Sequence, residues 1–284
     1  MMDSADLYQT IPTRELSDGT ALPVIGLGTF SPDDTDVTAM VASGIDNGYR
    51  LIDTALRYEN EPEVGAAIAA SDVDRNDILI TTKIPGRLQG YDGAIESART
   101  SMANLGVDHI DLLLIHWPLP RLDKYVDTWR AMIDMRRDGL VTSIGVCNFE
   151  PAHLDRISGE TGVMPVVNQI EMHPFFPQRK LREFHARNGI ATEAWSPFGR
   201  GSAIMECEPV TSAATAHNVS PGQVIIRWHH QLDAVPLPKS AHSERQRENR
   251  DIFGFALTDE EMAAISALER GRIQDQDPNT YEEF

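Results

Sequence analysis

Eight short apolar runs, each ending on polar residues and each leading into a helix-like stretch, set the strongest constraint on this chain. In order they read "VIGLGTF", "RLID", "DILITTK", "HIDLLLIHW", "TSIGVCNF", "VVNQIEMH", "IATEAWS" and "AVPLPKS". They are too continuously apolar for strands with one wet face. They suit strands covered on both faces of a parallel sheet. Helical periodicity follows near 35–47, 61–70, 91–105, 122–137, 151–158, 178–187, 208–217, 221–231 and 243–250. Such alternation either closes into a (β/α)8 barrel or opens as a doubly wound sheet. The count of eight and the length of 284 residues favour an α/β chain folded as one (β/α)8 TIM barrel domain over 1–284, with its core at about 13–270.

Punctuation refines that outline. "TRELSDGTALPV", with Asp18-Gly19 as its turn, predicts a β-hairpin ahead of the barrel. "LTDEEMAAISALER" predicts an extra C-terminal helix. Asn60 with Glu63, and Ser243 with Gln246, have the spacing of reciprocal helix caps, and Pro62 sits in a first turn, where its missing N–H costs little.

Composition narrows the partners. Lys and Arg total 25 against 43 Asp and Glu, a net charge of -18. A surface that acidic repels phosphate backbones and anionic lipid, so neither nucleic acid nor membrane is an expected partner. "MMDSADLYQT" lacks the basic and apolar regions of a secretion signal, and no apolar stretch reaches the ~20 residues of a membrane span. Cys147 and Cys207 have no CxxC spacing, which fits free thiols in a reducing cytoplasm. His229 and His230 are adjacent and there is no HExxH, so no metal is expected. A monomer is plausible.

In such a barrel the chemistry gathers where strands end. Those ends carry Asp53, Lys83, His116, Asn148, Gln169 with Glu171, Trp195 with Ser196, and Lys239 with Ser240. Tyr58 lies on the loop after Asp53. A buried lysine beside a tyrosine favours the phenolate, and Asp53 paired with Lys83 offsets the desolvation of the ammonium. His116 can hold a substrate oxygen. This is equipment for protonating a carbonyl oxygen while a cofactor attacks the carbon, because no Ser or Cys nucleophile has an adjacent base. "GLGTFS" at 26–31 ends in Ser31 where a dinucleotide fingerprint needs its third glycine, and it reads as a turn that places Thr29 and Phe30 at the mouth. Residues 239–250 hold Lys239, Arg245, Arg247 and Arg250 in an acidic chain, beside a helix start. Charge alone leaves two readings open, an anion site and a solvated helix face, since Glu244 and Glu248 lie among them.

The stretches "GLGTF", "GYRLIDTALRYENEPEVG", "TTKI", "LLLIHWP", "IGVCNF", "NQIEMHP", "AWSPFG" and "LPKSAHSERQRENRDIFGF" together resemble the aldo-keto reductases, most closely the short-looped prokaryotic members. The resemblance implies a (β/α)8 barrel that binds NADPH extended, without a Rossmann domain. It implies Tyr58 as general acid, Lys83 and Asp53 as its tuning pair, and His116 as the residue orienting the carbonyl. Asn148 and Gln169 match positions that hold the nicotinamide carboxamide, and Trp195 the aromatic that stacks on its ring. Lys239, Ser240 and Arg245 match a 2′-phosphate clamp, and Glu248 and Asn249 the adenine contacts. Thr29 and Ser196 join the cofactor positions; Phe30 is assigned to the substrate pocket, and Trp117, Phe149 and Phe198, each after a strand-end motif, read either as core or as part of that pocket. Cys147 stands where the family usually has Ser, a weaker donor toward the carboxamide.

The expected activity is therefore NADPH-dependent reduction of aldehyde or ketone carbonyls to alcohols. A cofactor-binding sensor on the same barrel is the binding-class alternative, although all four catalytic positions are filled. A barrel aldolase using Lys83 leaves the phosphate clamp unexplained. The polar tail "IQDQDPNTYEEF" and short loops suggest an open pocket for small polar carbonyls.

Overall fold

In the computed structural model, which describes residues 11–31, 35–273 and 275–283, eight parallel strands form one curled sheet. The stretch "MMDSADLYQT", expected to carry no leader, lies outside the described residues. The expected hairpin is present as β1 (Thr13–Glu15) and β2 (Ala21–Pro23), paired antiparallel with Arg14 opposite Leu22. Gly19, at φ 91°, supplies the left-handed turn residue between them.

The sheet runs in chain order through β3 (Leu27–Gly28), β4 (Leu51–Asp53), β5 (Leu79–Ile84), β6 (Ile110–Ile115), β7 (Val141–Cys147), β8 (Val167–Glu171), β9 (Ala191–Trp195) and β10 (Ala234–Pro236). It closes on itself: the amides of Gly26 and Gly28 donate to the carbonyls of Pro236 and Pro238, each at 3.1 Å. A Cβ on Gly26 would stand 2.6 Å from the Leu237 side chain and force it to shift. The result is a (β/α)8 barrel.

Helices follow the strands much as the periodicity predicts: α1 (Val37–Asp46), α2 (Glu61–Ala69), α3 (Tyr91–Leu105), α4 (Tyr125–Arg137), α5 (Pro151–Thr161), α6 (Arg179–Arg187), α7 (Glu208–His217), α8 (Pro221–Gln231), α9 (Ser243–Arg250) and the extra α10 (Asp259–Ser266). In α1 the Asp36 carboxylate caps the Ala39 N–H, and Val37, Met40, Val41 and Ile45 form the buried stripe. Two expected caps are absent. Asn60 makes no cap hydrogen bond, and the N-cap of α9 is His242, with Ser243 already helical. The reciprocal caps present include Ser220 with Gln223 and Thr258 with Glu261. Among the described residues no helix is long and apolar enough to cross a membrane.

Strand alternation sorts the core. Leu51, Leu112, Leu114, Val167 and Val235 cluster inside the barrel with Leu16 and Leu22, so the hairpin plugs its N-terminal end. Leu113, Ile115, Ile144 and Val146 alternate with them and face outward against the helices, where Trp129 of α4 is fully buried. The inward-facing row therefore arrives at the opposite end of the barrel with Asp53, Lys83 and His116.

Candidate active site

Asp53 ends β4, Lys83 is next to last in β5, and His116 follows β6 directly. Lys83 is fully buried, with its Nζ 2.8 Å from both carboxylate oxygens of Asp53 and 2.8 Å from the Thr54 carbonyl. Tyr58 closes a short 3-10 turn, Leu56–Tyr58, that brings its hydroxyl to 3.5 Å from Lys83 Nζ. Its ring lies edge-on to His116 at 5.9 Å. Four residues from three strands and one loop thus meet at one point.

Asn60 explains how that loop is held. Its amide donates to the Thr29 carbonyl at 2.9 Å and accepts from the Thr54 hydroxyl at 2.9 Å. Thr29, expected among the cofactor residues, is buried and spends its hydroxyl on the Asp53 carbonyl at 3.0 Å. Both brace the turn that carries Tyr58.

The electrostatics differ from the simple expectation for a lysine beside a tyrosine. Burial of the hydroxyl pushes Tyr58 up to about 12; Lys83 pulls the other way and the Asp53 charge opposes that pull. The ring keeps intermediate exposure at the cavity, and water there tempers the push. Burial alone would lower Lys83, and Asp53 outweighs it, so the ammonium is held above its usual range. Tyr58 is accordingly a protonated phenol, a donor.

Gln169 of β8 turns its amide nitrogen to two carboxylates, Asp53 at 2.8 Å and Glu193 at 2.9 Å, leaving its carbonyl oxygen available. Glu193, inward-facing in β9 and fully buried, escaped the sequence reading because it lies mid-strand. Burial and the Asp53 charge push it up to about 8. Asn148, in the left-handed region at φ 62°, accepts from Trp195 Nε1 at 2.8 Å and donates to the His116 carbonyl at 3.1 Å. It joins three strand ends and keeps one further donor and one acceptor site. Cys147 lies at the cavity, and burial pushes its thiol well up.

A cavity of about 530 Å³ opens over these groups. Phe30, Trp117 and Phe198 line it, with Trp195, Ser196 and Lys239. Phe149 does not: it is fully buried outside the barrel, its ring 5.5 Å from Tyr125 and 5.8 Å from His153. The left-handed turn at Asn148 redirects the chain there. Arg57, Arg200 and Tyr281 also line the cavity and were missed, although Arg57 sits beside Tyr58 in the sequence. Arg200 lies 5.0 Å over the Phe30 ring and 5.5 Å over that of Trp195.

Lys239 and Ser240 lead from the cavity to α9, whose first turn carries no side-chain cap. Gln246 ties this helix to α1, accepting from Asn47 at 2.8 Å and Ser43 at 2.9 Å and donating to the Met40 carbonyl at 2.9 Å. Arg247 and Arg250 are bound to Asn47. Arg245 and Glu248 stay exposed, and Asn249 is buried. Of the basic cluster, two residues hold the helix while Lys239 and Arg245 flank its uncapped start. Among the described residues no cluster of three or more His, Cys, Asp or Glu has the geometry of a metal site.

Known proteins share this architecture. A model of the Aldo/keto reductase family matches residues 24–270. The 2,5-diketo-D-gluconic acid reductase B of a Corynebacterium species is 53% identical over 275 residues, 96% of this chain and 99% of that protein. A mutant of Gox0644 solved in complex with NADPH superimposes with a TM-score of 0.91 at 41% identity, covering 96% of this chain and all of that one (100%). The Bombyx mori aldo-keto reductase in complex with NADP gives 0.90 at 34% identity, over 97% and 99% of the two chains.

Proposed function

The chain belongs to the aldo/keto reductase family, and from that premise we propose that it reduces small polar aldehydes and ketones with NADPH, Tyr58 giving the proton. The observation that carries this reading is the meeting of Asp53, Tyr58 and His116 at one cavity, with Lys83 buried behind them against Asp53 and Tyr58.

The residues present fit the cofactor. The uncapped first turn of α9, flanked by Lys239 and Arg245, suits a phosphate. Gln169 offers a carbonyl oxygen, and Asn148 one donor and one acceptor, to an amide such as the nicotinamide carboxamide. Trp195 presents a ring at the cavity wall. Bound there, NADPH supplies a hydride to the carbonyl carbon. The chain's own part is to hold the carbonyl oxygen between Tyr58 and His116 and to protonate it as negative charge develops. Donors aimed at that oxygen stabilise the transition state more than the ground state. The Lys83–Asp53 pair keeps Tyr58 in place, and Lys83 stabilises the phenolate left after transfer. Aromatic walls with Arg57 at the rim suit a small polar carbonyl compound.

The test is a panel of aldehydes, keto-sugars and dicarbonyls followed by NADPH absorbance. Turnover with members of the panel is the expected result. Saturable NADPH binding without turnover on any of them would overturn the reading in favour of a cofactor sensor.

A further inference from the structure

The end of the chain returns to the mouth of the barrel. The Tyr281 ring packs 4.4 Å from that of Trp117, and Glu283 turns inward until 1% of it remains exposed. Three groups meet its carboxylate: the Gly86 N–H at 2.9 Å, the Arg57 guanidinium at 3.1 Å and His116 Nδ1 at 2.6 Å. The His116 contact is close but is not an aligned hydrogen bond. Burial alone would push the Glu283 carboxyl up; His116, the Gly86 N–H and Arg57 outweigh it and hold the group below its usual range. The seat is tight, because a methyl on Gly86 would lie 2.5 Å from the Glu283 carbonyl oxygen.

His116 and Arg57 line the cavity, whereas Glu283 does not. The carboxylate therefore reaches His116 from behind, on Nδ1, and leaves Nε2 as the nitrogen for the cavity. A neutral imidazole has one N–H and cannot donate from both nitrogens. Only the imidazolium presents a proton to a carboxylate behind it and another to an oxygen in front.

We propose that Glu283 is a positioning residue for His116, holding the Nδ1 side of the ring and favouring its doubly protonated form so that Nε2–H faces the substrate carbonyl. The role in catalysis rests on the reductase reading of the site. The charged and titratable groups around His116 leave this task to Glu283. Tyr58, from the loop after β4, and Cys147, ending β7, are neutral through burial. Lys83 of β5 is matched by Asp53 of β4. Arg57 opposes a protonated His116 and is itself paired with Glu283.

Glu283→Gln tests this, with His116 followed by ¹⁵N-histidine NMR and assigned by loss of its signal in His116→Asn. The His116 titration should move down by about one pH unit. Well above the wild-type midpoint kcat/KM for carbonyl reduction should fall about tenfold, with NADPH affinity unchanged, since a one-unit shift changes the protonated fraction there by that factor. Glu283→Asp should recover part of the shift. Gly86→Ala, whose methyl meets the Glu283 backbone carbonyl and so unseats that residue, should shift the titration in the same direction. An unchanged His116 titration in both Glu283→Gln and Gly86→Ala overturns the proposal, whatever happens to turnover. A wild-type chain that consumes no NADPH overturns the reductase reading instead, and that failure is read on a different signal.

Discussion

Lys83 and Asp53 form a buried pair in which the ammonium nitrogen lies 2.8 Å from each carboxylate oxygen. The same nitrogen stands 3.5 Å from the Tyr58 hydroxyl. Most of its charge is thus matched before it acts on the phenol, and burial prevails at Tyr58. The geometry favours a proton donor over a resident phenolate, which is the state that carbonyl reduction requires.

Asp53→Asn leaves a buried ammonium without its counter-charge. Stability should fall by about 3 kcal/mol in urea unfolding, because breaking one side of a buried pair costs far more than losing an exposed one. A loss below about 1 kcal/mol would mean that water reaches Lys83 and screens it.

Tyr58→Phe should lower turnover by about 100-fold or more while NADPH binds with nearly unchanged affinity. With Tyr58 pushed up to about 12, a wild-type-minus-variant absorbance titration should show no phenolate from it below about pH 10. Phenolate signal emerging near neutral pH would show that Lys83, not burial, governs the group.

Arg245 is exposed in the first turn of α9. Arg245→Ala should weaken NADPH about tenfold in a fluorescence titration, the order expected for one charge-assisted hydrogen bond, and leave NADH almost unaffected. Equal weakening of both cofactors would remove the residue from a 2′-phosphate clamp.

Glu193 gives stability a pH dependence whose sign is fixed. Its carboxyl is pushed from 4.5 up to about 8 in the folded chain, so between those values the folded state holds a proton that the unfolded state has lost. The contribution is fully present below the unfolded value and is lost as pH rises through about 8. Glu193→Gln should flatten the fall in unfolding free energy between about pH 5 and pH 8, measured by urea titration at each pH. The same slope in variant and wild type would place its source elsewhere.

The barrel was legible because its strands are buried on both faces and its helices are amphipathic, two patterns that local sequence records. Asp53, Lys83 and His116 were legible for a related reason, since each is the polar residue on which an apolar run ends. Long-range partners left no such trace. Asn60 and Gln246 have the spacing of caps, yet their amides serve the Thr29 carbonyl and the Met40 carbonyl, the latter 206 residues away in sequence. Phe149 was placed at the pocket by its neighbours, and the backbone reversal at Asn148 took it outside. The polar tail read as leaving the pocket open; only the fold shows Glu283 buried against Gly86, Arg57 and His116.

The barrel's seam has a mechanical consequence. Across an ordinary parallel pair, alternate residues both give and take hydrogen bonds. Where the first strand meets the last, Pro236 and Pro238 accept from Gly26 and Gly28 but have no N–H to return. The ring of strands is therefore fastened by half the usual stitches at one place, and that place lies between Asp53's neighbouring strand and the segment leading to Lys239. Opening the ring of strands at this clasp breaks fewer hydrogen bonds than opening it at a pair without proline.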